Sequence, residues 1–128
     1  MKIMIEIAPG ELADRLSILE IKLSKINDEN KLKNIRYEYA SLARGKTELF
    51  AKSPEVERLA NELKVINDQI WIIEDDIREL ERKRDFGDRF VAVARSVYQT
   101  NDKRAAVKRQ INELLQSVLV EEKSYTPY

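Results

Sequence analysis

The chain carries 23 basic and 23 acidic side chains in 128 residues, with neither cysteine nor histidine. Its length fits one domain, 1–128, with an enclosed core. The two missing residue types exclude disulfides, thiolate nucleophiles, the common zinc ligand sets and Ser-His or Cys-His catalysis, while a net charge of zero points to neither a nucleic-acid nor a membrane partner.

At the start, Ile3, Ile5 and Ile7 alternate with Met4 and Glu6, the period of a strand, and Pro9-Gly10 ends the run. A short N-terminal β-strand is expected, paired by the C-terminal VLVEEKSY or by a second copy of the chain. A first helix should begin near Pro9 and Gly10, with Glu11 and Asp14 in its first turn and a stripe of Leu12, Leu16, Leu19, Leu23 and Ile26. Ile18 and Ile21 lie off that stripe, so this helix should touch neighbours on more than one side. Asn27, Asp28 and Asn30 mark a turn. Leu32, Ile35, Tyr39 and Leu42 then trace a second helix that weakens around Gly45.

Ser53-Pro54 supplies an N-cap and a first-turn proline for a long third helix, about 54–84. Along it Val56, Leu59, Leu63, Ile66, Ile70, Ile73, Ile77 and Leu80 follow at steps of three and four, a heptad seam that only burial against other helices stabilises. Val65 and Ile72, with Trp71 beside them, form a second apolar face, either sandwiched within the monomer or set against another copy. Phe86 and Gly87 interrupt the pattern. A fourth helix should carry Phe90, Val93 and Val97, and a fifth should start at an Asn101-Asp102 cap and carry Val107, Ile111, Leu114 and Val118. The expected fold class is mainly α: an antiparallel helical bundle around one long heptad-patterned helix, with the short N-terminal strand.

Charge is unevenly spread. Residues 48–81 hold ten acidic and four basic side chains, and residues 82–109 hold nine basic and three acidic. Complementary blocks of this kind favour adjacency. The run Glu74, Asp75, Asp76, Glu79, Glu81 has spacings that a magnesium ion uses, and helical nucleotide pyrophosphohydrolases use paired motifs of that kind. The companion motif is absent here, and Arg78 follows Glu74 by four residues, so a salt-bridged surface is expected. All-helical chorismate mutases hold a dicarboxylate with arginines and a lysine, but their N-terminal arginine pattern is not matched. No metal or cofactor is implied.

The stronger candidate site is basic. Arg104 and Lys108 share a face just inside the expected start of the fifth helix, Arg95 ends the fourth, and Tyr98 and Asn101 add neutral hydrogen-bonding groups. Free N–H groups at a helix start would help these side chains hold an anion. Glu74 and Asp75 are the carboxylates expected to orient the cations, which lowers the entropy lost on binding.

The segments PGELADRLSILEIKLSKI, IWIIEDDIRELE, ARSVYQTNDKRAAVKRQIN and VEEKSY resemble those of a small bacterial and phage family of unknown function. The ILEIK segment, the Trp-x-x-Glu-Asp core at Trp71, Glu74 and Asp75, and SVYQTNDKRA carry most of the likeness. The resemblance implies a stand-alone soluble protein and supplies no substrate, cofactor or catalytic residue. The expectation is a cytoplasmic, non-catalytic helical interaction or scaffold protein that forms a homodimer. The alternative is a protein or enzyme that takes a small phosphorylated or carboxylated metabolite between the acidic third helix and the basic start of the fifth.

Overall fold

The computed structural model describes residues 1–128 as four helices: α1 (Pro9–Lys25), α2 (Glu29–Ala51), α3 (Pro54–Arg82) and α4 (Asp88–Leu114). Side-chain caps set the starts of α2 and α3. Asp28 caps α2 by accepting from the Lys31 N–H at 2.9 Å, and Ser53 caps α3 by accepting from the Glu55 N–H at 3.2 Å ahead of Pro54. Past Lys83, Arg84 takes a left-handed backbone with φ of 53°, which ends α3 and lets the chain reverse.

Two expected elements are absent. Residues 1–8 form no strand; they lie outside regular structure with Ile3 and Ile5 mostly exposed, because no other segment offers them a ladder partner. Nor is there a fifth helix. Asn101 and Asp102 lie inside α4, which runs unbroken from Asp88 to Leu114. An asparagine or aspartate is tolerated within a helix when tertiary burial on the other face holds it, here by Thr100, Val107 and Ile111. Gly45 likewise does not weaken α2, since the Leu12 side chain packs directly against it.

The main core joins Ala13 of α1, Leu49 of α2, Val56, Leu59, Ala60, Leu63 and Ile66 of α3, and Val107 and Ile111 of α4. A satellite cluster of Leu19, Leu32 and Ile35 fastens α1 to α2. The first half of the α3 seam is therefore in the core. The second half is different: Ile70, Ile73, Ile77 and Leu80 are only partly buried, and from Asp68 to Gln99 Val93 alone is buried. Past the level of α1, whose Lys25 still reaches Asp68 at 3.3 Å and whose Ile18 and Ile21 lie against Ile70 and Trp71, α3 and α4 pack on each other as a two-helix arm beyond the body, with its tip at Lys83–Gly87. Of the second apolar face, Val65 and Ile72 are exposed, so they are not sandwiched within the chain. A compact monomer of 15.0 kDa would expose about 7,000 Å². This chain exposes 9295 Å².

Candidate functional site

At the base of the arm α1 crosses the α3/α4 pair, and the crossing is polar. Asp14 is 1% exposed. Arg104 of α4 donates to it through Nε at 2.9 Å, and again through a terminal guanidinium nitrogen to the second carboxylate oxygen, making a bidentate pair. Asn67 of α3 donates from Nδ2 to Asp14 Oδ1 at 2.9 Å and to Ser17 Oγ at 2.7 Å, while Ser17 Oγ donates to the Asp14 carbonyl at 2.8 Å. No buried side-chain polar atom is left without a partner. A buried ion pair is retained without large cost only when it is this completely hydrogen-bonded.

One turn away, Lys108 bridges Glu11 at 2.8 Å and Glu121 of the C-terminal tail at 2.7 Å, and Glu11 also pairs with Arg15 at 3.1 Å. The Lys108 hydrogen bond holds Glu11 below its usual carboxylate range against the opposing effect of burial. Burial works against the charge on Lys108, but its bonds to Glu11 and Glu121 outweigh it and raise the ammonium above its ordinary value. Gly10 completes the contact: its N–H, an unpaired donor of the first turn of α1, reaches Asn112 Oδ1 at 2.8 Å. A Cβ at this position would lie 2.4 Å from the Lys108 carbonyl oxygen, so only glycine permits the approach.

Beside the Asp14–Arg104 pair opens a cavity of about 300 Å³. Ile18, Ile21, Ile70 and Trp71 wall it, Asn67 and Arg104 form its floor, and Glu74, Asp75 and Arg78 stand at its rim.

The expected site residues are thereby divided. Glu74, Asp75 and Arg104 do meet at this cavity. Lys108 lines a separate small one with Arg109, Asn112 and Glu121, and Tyr98 and Asn101 lie beneath the tail with Tyr125 and Tyr128. The Tyr128 ring packs edge-on against Tyr98 at 5.1 Å and its hydroxyl donates to Asp102. Arg95 is exposed and lines none of the three.

The free N–H groups expected beside Arg104 do not exist, because that stretch is helix interior. Nor do Glu74 and Asp75 orient the cations. Glu74 pairs with Arg78 on its own helix, and Asp14 and Glu11 of α1 hold Arg104 and Lys108. Of the acidic run, only Asp76 reaches α4, to Arg89 at 3.4 Å. Sequence reasoning missed Asp14, Ser17, Asn67 and Asn112. The signal available was a polar line, Asp14 and Ser17 leading to Ile21 at steps of three and four, on a helix face otherwise apolar.

Three helices gathered at a buried polar junction, with an open two-helix arm, define an all-α architecture, and no helix is long and apolar enough to cross a membrane. The chain belongs to DUF6165, a family of unknown function, whose model matches residues 1–128. Neither the curated proteins nor the solved structures contain a match to it.

Proposed function

We propose that this protein is a helical interaction or scaffold protein that self-associates through its arm. The observation that carries the reading is the arm's want of cover. From Asp68 to Gln99 only Val93 is buried, and the total surface exceeds that of a compact monomer of this mass by roughly 2,000 Å². The exposed ends, outside regular structure, account for part of that excess and the arm for much of the rest. A standard interface removes about 800 Å² from each partner, less than the excess surface that the chain exposes.

The rival reading, a small anionic metabolite in the cavity, has Arg104 in its favour and the local charge against it. Arg78 and Arg104 face Glu74, Asp75 and, behind them, Asp14, and an added anion would meet a surplus of carboxylates. Amide hydrogen exchange across residues 72–99 tests the preferred reading. Exchange is expected to slow as protein concentration rises, and exchange independent of concentration over the micromolar range would overturn it.

A further inference from the structure

We propose that the cavity at the base of the arm is the seat for the arm tip of a second copy, with Phe86 of one protomer entering between Ile18, Ile21, Ile70 and Trp71 of its partner, and reciprocally. This rests on the self-association reading above and names the contact that drives it.

The two surfaces match in polarity. The tip is an apolar plug in a stretch of net positive charge: Phe86 is 53% exposed, its ring edge-on to Phe90 at 5.2 Å, and residues 82–89 carry Arg82, Lys83, Arg84 and Arg89 against Asp85 and Asp88. The cavity is an apolar socket whose rim carries Glu74, already paired with Arg78, and the unpaired Asp75. Within the chain Arg82 and Lys83 pair with Glu79, and Arg89 with Asp76, whereas Arg84 at the tip and Asp75 at the rim have no ion-pair partner. Seating the tip brings that unpaired cation to that unpaired carboxylate.

The lengths match as well. Ile70 to Arg82 spans about 18 Å of helix, so two arms laid antiparallel bring each tip level with the other's base. A single two-fold axis then fills both sockets. The flank involved carries Trp71 and Asp75 and is the one that α1 covers lower down. The partner arm continues the layer that α1 begins.

The chain has no cysteine and one tryptophan, and photo-crosslinking reports the contact directly. A benzophenone side chain is placed at position 86, and light- and heavy-isotope protomers are mixed before irradiation. Cross-links are expected between opposite labels, from position 86 to the peptides holding Ile18–Ile21 or Ile70–Trp71. Burial of two aromatic side chains is lost in Phe86→Ala, which should raise the dimer dissociation constant at least about 100-fold. Ile72→Glu, on the opposite flank, should leave it unchanged, because this seat leaves the exposed Val65 and Ile72 face outside the contact. A dimer indifferent to Phe86→Ala, dissociated by Ile72→Glu, or cross-linked tip to tip would overturn the seat while leaving self-association standing. A wild-type chain that is monomeric throughout would overturn both.

Discussion

Removing the Asp14 carboxylate tests the junction on which the body depends. In Asp14→Ala the Arg104 guanidinium loses both of its carboxylate bonds, and Asn67 keeps only Ser17 Oγ. Breaking a buried pair by deleting one partner costs about 3–5 kcal/mol. The Arg104 side chain is 29% exposed, so water recovers part of its solvation and the low end, about 3 kcal/mol, is expected. With an unfolding entropy of about 2.1 cal/mol/K per residue, that lowers Tm by about 11 °C for a chain of this length. Arg104→Ala should cost more, since it strands the deeper partner, and the double variant should lose much less than the sum. Calorimetry and urea titration of the four proteins give the coupling. A loss below about 1 kcal/mol for Asp14→Ala, or additive single losses, would refute the claim that this pair ties α1 to α4.

Other expectations concern close approach, core and pH. Gly10→Ala should destabilise by about 1–3 kcal/mol, because the added Cβ meets the Lys108 backbone carbonyl, which cannot move without shifting α4; denaturant midpoints measure it. Leu63→Ala, in the fully buried half of the seam, should cost about 2–5 kcal/mol. Leu80→Ala, near the partly covered arm tip, should cost the monomer well under half of that, and equal losses would show that the arm is packed like the body. Glu11 has a lowered folded value, so its contribution is present above its usual 4.5 and is lost as pH falls through that lowered value. Lys108 has a raised value, so its contribution is complete below 10.5 and is lost as pH rises through the raised value. Lys108→Met should flatten both limbs of a stability-against-pH curve, and unchanged limbs would contradict the pairing.

How far the sequence reads depends on how local each cause is. The all-helical class, the start of α3 at Ser53-Pro54 and the seam from Val56 to Leu80 rest on spacing and capping within one segment, and all are legible. The stop near Phe86-Gly87 is legible for the same reason. The unity of α4 is not: Asn101-Asp102 has the chemistry of a cap, and only burial of Thr100 and Val107 by other helices overrides it. The N-terminal alternation of Ile3, Ile5 and Ile7 is a true strand pattern without a ladder partner in the chain. The polar junction is the least legible element, because Asp14, Asn67 and Arg104 come from segments 53 and 90 residues distant from Asp14. Charge blocks predict that α3 and α4 are neighbours, which they are, but not that Arg104 and Lys108 form their ion pairs with the carboxylates of α1 rather than with those of α3.

The central claim is that the arm is a surface made to be covered by a second copy. Sedimentation equilibrium of the full chain from low to high micromolar concentration tests it most directly. The account predicts a mass approaching twice the 15.0 kDa of one chain, and a mass of 15.0 kDa at every concentration would contradict it.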